Sequence, residues 1–315
     1  MNPDVAAAVS KLEAEGVLGA TTAAHLGRIA RGELVSVRTE LRLVLYLGVT
    51  LFVSGLGLFL KDSTFGPQTI VFALAVASLA CFVFVSRRAA PFSWGKTPES
   101  HLALDYILLL GVLILGADLA YWESHFALLG DSWPWHLLTV SLVALLLSVR
   151  YDSAVVFGLA LSSFAAWRGV ATSLHSAEWI FSDPGDSIRA NALACGVLFA
   201  LIGEALPPMD RKPHFGPVAD TLGYALILGG LMSGLGRGQA YAVALCGAGA
   251  LLAMLSFHRR RFWHFAMGSL AGYVGLSTLL IWGSDGGVVF LWFLVTPPVA
   301  LVLLIVADRA MKRKR

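Results

Sequence analysis

Ten apolar stretches follow one another along this chain, at 43–60, 68–86, 102–121, 135–149, 153–171, 189–206, 217–235, 239–257, 262–282 and 287–307. The hydrocarbon core of a bilayer is about 30 Å thick, and a helix crosses it in roughly 17–25 apolar residues. In lipid every backbone N–H and C=O must be satisfied within the segment, which makes each stretch a helix. The shortest, 135–149, is separated from the next only by Arg150-Tyr151-Asp152. One span through both would be far too long, so a tight hairpin is expected there. The fold class is all-α: a polytopic membrane helix bundle of about ten transmembrane helices.

Composition excludes the soluble alternative. Of 315 residues, 57% are hydrophobic and 14% charged, against about 25% charged in ordinary soluble domains, and the mean hydropathy is +0.75. A soluble fold could not cover that much apolar surface with so few charges. Cys81, Cys195 and Cys246 all fall inside apolar stretches and form no CxxC pair, which points to membrane-core residues rather than a zinc site or disulfide framework. Residues 1–40 are polar and lack the apolar region of a cleavable signal, so insertion is expected to begin with the first span.

The charges give an orientation. Cytoplasmic connections carry the Lys and Arg excess. With the N-terminus inside, 19 of the 23 basic residues fall on the inner side, leaving Lys61, Arg168, Arg189 and Arg237 outside. Asp62, Glu123, Asp131, Glu178, Asp183, Asp186 and Asp285 lie outside. A missed or extra helix would invert every later connection and spoil this alternation. The expected orientation therefore has both termini cytoplasmic. Tyr121, Trp122, Trp133, Trp135, Trp179 and Trp282 mark the outer interface, and Trp94 and Trp263 the inner one.

Three regions result: a cytoplasmic amphipathic helical hairpin over 1–40, the ten-helix region 41–307, and a basic tail 308–315. In the first, Val5, Val9 and Leu12 recur at helical spacing with Gly16 as a C-cap, and Thr21 or Thr22 caps a second helix running to Gly32. So short a pair cannot bury much core alone; it is expected to dock on the cytoplasmic face or on a protein partner.

The run Val9-Ser-Lys-Leu-Glu-Ala-Glu-Gly-Val-Leu18, an arginine-bearing lead-in and the Gly-rich span Leu43-Val-Leu-Tyr-Leu-Gly-Val-Thr-Leu-Phe-Val-Ser-Gly-Leu-Gly-Leu-Phe59 resemble the bacterial membrane-protein family called domain of unknown function 2157. The resemblance covers about residues 5–60. It implies a bacterial inner-membrane protein and brings no established activity, so no functional residue is carried over from it.

Ionisable residues within spans are functional hypotheses by default. Asp105, Glu204 and Asp220 lie near cytoplasmic ends, where a carboxylate can reach interfacial water or a basic loop. Asp118 lies about one turn from an outer end, with Arg168 at comparable depth. An Asp118–Arg168 pair would neutralise both charges; the sharper reading of Asp118 is a substrate or proton site. Gly268, Gly272 and Gly275 form a small-residue stripe suited to close helix packing, and Gly229, Gly230 and Gly234 crowd the seventh span. Pro297 and Pro298 each remove a backbone donor, so a kink is expected in the last span. Gly48…Gly55 and Gly196…Gly203 open the two five-helix halves with the same spacing, which is compatible with inverted repeats.

Enzyme signatures such as HExxH, G-x-S-x-G and the P-loop are absent from the sequence. His125 lies on one outer connection and His175 and Glu178 on another, and all three read as solvated polarity. No cofactor or nucleic acid is expected: Arg259-Arg260-Arg261 and the tail Lys312-Arg-Lys-Arg315 sit beside spans, where they set topology and attract anionic lipid. The function read from the sequence is a structural, scaffolding or sensory membrane component without enzymatic activity. The alternative is a small-molecule transporter with a cavity between two inverted five-helix halves.

Overall fold

The computed structural model describes residues 9, 11–17, 19–30, 38–61, 65–95, 102–173, 185–209, 211–284 and 286–313. All regular elements among them are helical. The chain divides into two compact units, Met1–Asp62 and Ser63–Arg315.

In the first unit, a helical turn reaches Ala14 and ends on Gly16 at φ 71. The Val17 N–H donates to Leu12 O and the Gly16 N–H to Glu13 O, both at 3.0 Å. This is the paired closure that a left-handed glycine allows at a helix C-terminus, and Gly16 is the cap that the sequence indicates. Helix α1 (Ala20–Ala30) begins before Thr21 and Thr22, so neither is the cap expected of it. Its first bond runs from Ala23 N to Gly19 O at 2.9 Å. Val5 and Gly32 lie outside the described residues. Helix α2 (Arg38–Lys61) follows and carries the apolar stretch Val44–Gly55.

The second unit holds α3 (Pro67–Arg88), α4 (Leu102–Phe126), α5 (Trp135–Tyr151), α6 (Ala154–Ser173), α7 (Asp186–Ala205), α8 (Gly216–Ser233), α9 (Gln239–His258), α10 (Phe262–Gly283) and α11 (Gly286–Arg313). Each of the ten apolar stretches falls on one of α2–α11. Eight of these helices are long and apolar enough to cross a membrane, and α6, with the shorter stretch Ala154–Gly169, joins α2 as the remainder. The chain is a multi-pass helical membrane protein.

The second unit is built from antiparallel hairpins, α3 with α4, α5 with α6, α7 with α8 and α9 with α10, which pack more intimately than any other pairs. Glycine explains the last two. A Cβ on Gly268 would stand 2.6 Å from Ala253 N and 2.7 Å from Gly249 O, and one on Gly275 would stand 2.7 Å from Cys246 N. One on Gly249 would meet Gly272 N and, at 2.6 Å, Gly268 O. The backbones of α9 and α10 are therefore in direct contact, which in lipid replaces the missing hydrophobic drive by close van der Waals packing. Gly272 itself has room, its Cβ position clearing Ala250 N by 3.7 Å. The α7/α8 crossing is equally tight at Gly196 and Gly223. The glycines singled out in the seventh span play other parts: Gly229 meets nothing within 4 Å, Gly230 touches Ala192 and Leu193, and Gly234 lies under the Tyr241 ring. The spaced pair Gly196 and Gly203 lies in helix contacts, whereas the matching pair Gly48 and Gly55 meets nothing within 4 Å.

An apolar core joins α6 to the α7/α8 hairpin through Phe157, Leu161, Cys195, Phe199, Phe215 and Ala219. Leu228, Leu245, Leu252 and Ala271 fill the space among α8, α9 and α10. Helix α11 is peripheral. None of its membrane-length window is buried, and it touches α10 through Tyr273 Oη and Thr296 Oγ1 at 3.0 Å and Trp292 Nε1 donating to Ser277 Oγ at 2.9 Å. It continues through Pro297 and Pro298, whose ring nitrogens leave the Phe293 and Leu294 carbonyls without helical donors.

Candidate functional site

The polar side chains of the second unit gather at two corners that grip one connection, the stretch from α7 to α8. The first corner is the α5–α6 turn. Asp152 adopts a left-handed backbone at φ 63, which a short polar side chain tolerates, so the chain reverses within two residues. The Asp152 carboxylate is thereby held inward, 6% exposed, where Oδ1 accepts from Lys212 Nζ at 2.7 Å and lies 3.1 Å from His214 Nε2. Lys212 is 4% exposed at its side chain and left-handed at φ 47. Its N–H donates to Trp94 O at 2.9 Å and its ammonium lies 5.2 Å from the Phe92 ring centre. Arg211 stacks over Trp94, and Phe215 stacks on Phe157 at 4.4 Å. A buried ion pair survives only where geometry and further contacts offset the loss of water, and Asp152–Lys212 has both.

The second corner is the α9–α10 turn, Arg259-Arg260-Arg261, with Arg260 left-handed at φ 56. Arg261 Nη1 donates to Asp220 Oδ2 at 2.7 Å and stands 3.7 Å from Glu204 Oε1, and Arg259 pairs with Glu204. Tyr224 Oη donates to Glu204 at 3.4 Å, Thr221 Oγ1 and His264 Nε2 are 3.1 Å apart, and the His264 ring meets Tyr224 edge-on. Asp220 is fully buried; its Oδ1 has no partner and packs against Gly203, where a Cβ would collide with it. Glu204 lies in the last turn of α7 and Asp220 in the second turn of α8. The α7–α8 connection is thus clamped by an acidic corner acting on Lys212 and His214 and by a basic corner acting on Glu204 and Asp220.

The opposite end is organised differently. Glu123 closes the α4–α5 connection, accepting from Leu129 N at 3.1 Å, Gly130 N at 2.8 Å and His136 Nε2 at 2.9 Å. Arg189, 2% exposed, donates to Asp186 at 2.8 Å and to Ser233 O at 3.3 Å, with Arg237 also 3.7 Å from Asp186.

Of the residues indicated by the sequence, Glu204 and Asp220 come together through the basic loop, and Asp105 sits half-buried in the first turn of α4. Asp118 and Arg168 do not pair. Arg168 reaches Asn191 Oδ1 on α7 at 3.1 Å and lies over its neighbour Trp167. Asp118 is 5% exposed with no partner for Oδ1. It is also deeper than expected: α4 runs on to Phe126, which puts Asp118 eight residues, about 12 Å, from the helix end. Sequence reasoning missed Asp152, Lys212 and His214 as a group. A left-handed turn residue of acidic type was the only local signal, and its partners are 60 residues away.

Among the described residues no group of three His, Cys, Asp or Glu side chains is placed to hold a metal ion; His175 and Glu178 lie outside them. No family model, curated protein or solved structure matches this chain.

Proposed function

We propose that this chain is a structural or scaffolding component of a bacterial inner membrane, with both termini cytoplasmic and no enzymatic activity. The observation that carries the reading is the clamped α7–α8 connection. Six acidic and basic residues at three corners of the helix connections, Asp152, Lys212, Glu204, Asp220, Arg259 and Arg261, pair with one another and hold the hairpins in register, while glycine seams bring backbones into contact. Such an arrangement favours a rigid platform. The 19-to-4 division of basic residues supports the orientation. Exposed Arg87, Arg88 and Arg211 at the ends of α3 and of the α7–α8 connection suit anionic lipid headgroups. Residues 1–40 supply the docking module for a membrane or cytoplasmic protein, and kinship with the family of unknown function named above rests on the two runs within residues 9–59.

Purification from native membranes in mild detergent tests this reading. A stoichiometric protein partner, lost when residues 1–40 are removed, is the expected outcome. A monomer that retains a small molecule overturns it.

One observation favours a second reading, transport. Asp118 is a buried, unpartnered carboxylate inside a membrane helix, and such groups mark ion and proton paths. Flux into proteoliposomes that is abolished by Asp118→Asn, with the variant folded and monodisperse, would establish it.

A further inference from the structure

The α5/α6 and α9/α10 hairpins repeat one another at a constant spacing of 108 residues. Asp152 and Arg260 are the left-handed corner residues of the two turns. Ser153 N donates to Ser148 O at 3.1 Å, and Arg261 N to Ser256 O at 2.9 Å. Phe157 N donates to Ser153 O at 3.0 Å, and Phe265 N to Arg261 O at 3.1 Å. Five buried pairs keep the spacing: Ser141 and Gly249, Ala144 and Leu252, Ser148 and Ser256, Val156 and His264, Ala160 and Gly268. The crossing contact keeps it too. Ser141 Oγ donates to Ala160 O at 2.8 Å, and Gly249, at the place of Ser141, lies against Gly268 O.

The preceding hairpins correspond as well. Leu79-Ala80-Cys81 in α3 and Leu193-Ala194-Cys195 in α7 each sit at a crossing: Cys81 and Phe82 meet Gly111, and Gly196 meets Gly223 and Ile227. Helix α4 then touches both α5 and α6, as α8 touches both α9 and α10. Helix α7 lies against α6 with a polar contact at Arg168–Asn191, and α11 lies against α10 with polar contacts at Tyr273 and Ser277. Those two residues bracket the position 108 beyond Arg168.

We propose that α3–α6 and α7–α10 are two tandem modules of the same orientation, four helices each, and that α11 occupies against the second module the place that α7 occupies against the first. Four is even, so each module enters and leaves on the same side and its corner falls at the same end of the bundle. That is why two corners of opposite charge can grip one connection: the first module presents Asp152 there, the second Arg259 and Arg261. Five-helix halves of opposite orientation would put the corresponding corners at opposite ends. Among the described residues α10 packs against α11, which ends the series of modules.

The test removes residues 154–261, joining Ser153 to Phe262 within the full chain, so that α10 follows the α5 corner in the register of α6. On the proposed equivalence Gly268 then faces Ser141. With Cys81→Ser, the pair Ser141→Cys and Gly268→Cys should form a disulfide in membranes as readily as Ser141→Cys with Ala160→Cys in the uncut chain, while a pair shifted to Met267 should not. A C-terminal topology reporter should stay on its original side. A second chain, residues 1–261 followed by 154–315, carries an added module and keeps the native helices. Cross-linking at the shifted pair overturns the proposal, as does failure of both chains to give a membrane-inserted, monodisperse protein.

Discussion

Replacing Lys212 by Met isolates the worth of the first corner. The ammonium and the Asp152 carboxylate are 2.7 Å apart and both nearly excluded from water. At an effective dielectric constant of about 20, opposite charges at this separation attract by roughly 6 kcal/mol. Desolvation takes back most of that gain, but removing one partner strips the other's buried charge of its counter-ion, which costs about 3–5 kcal/mol. The Lys212→Met side chain keeps the length of the lysine stem and loses the ammonium over the Phe92 ring, while His214 remains 3.1 Å from the carboxylate as partial compensation. The expected loss is therefore at the lower end, about 3 kcal/mol. Asp152→Asn suits the left-handed backbone and removes the charge without changing shape. It strands the Lys212 ammonium and should cost a similar amount. Together the two substitutions should be milder than either alone. Reversible unfolding in mixed SDS–detergent micelles gives all three values as a double-mutant cycle. Additive losses, with the double variant worst, would refute the view that these residues hold one another.

Glycine-to-alanine changes should separate sharply along one helix. Gly268→Ala and Gly275→Ala drive a methyl into the α9 backbone and should lower stability by about 1–3 kcal/mol, whereas Gly272→Ala, with 3.7 Å of clearance, should leave the melting temperature within a degree or two. Gly203→Ala forces apart α7 and the buried Asp220 carboxylate; native-membrane cross-linking between α7 and α8 should fall in that variant. Asp118→Asn trades an unpartnered buried carboxylate for a neutral group and should hold or raise thermal stability in detergent, a clear drop showing that the carboxylate has a partner after all. Glu123→Ala frees the Leu129 and Gly130 N–H groups, and protease cleavage of the α4–α5 connection should accelerate.

What the sequence made legible followed from local chemistry. The ten helices came from apolar length, the α5–α6 hairpin from the impossibility of one span through Arg150-Tyr151-Asp152, and the Gly16 cap from glycine's freedom at positive φ. Gly268 and Gly275 were legible because a small-residue stripe is itself a packing instruction. The Asp118–Arg168 pair failed because equal depth on two helices says nothing about azimuth: Arg168 points to α7, and α4 extends further than hydropathy shows. The Asp152–Lys212 corner was unreadable for a related reason. Lys212 looks like any topology-setting cation until the α7–α8 connection is folded back beneath the α5–α6 turn. Arg259 and Arg261 likewise set topology and also bind Glu204 and Asp220, and only the second role depends on tertiary structure.

The glycine seams bear on how this protein can move. Where backbone meets backbone, as at Gly249 and Gly268 or Gly196 and Gly223, neither helix can slide or roll without collision, because no side chain lies between them to change rotamer. Each of those hairpins behaves as a single stiff beam. Displacement is confined to the joints between beams, such as α6 against α7 and α10 against α11, where Phe157, Phe199, Tyr273 and Trp292 can turn on their side-chain bonds. The protein's softness is thus placed between its hairpins, and its corners are the fasteners that limit it.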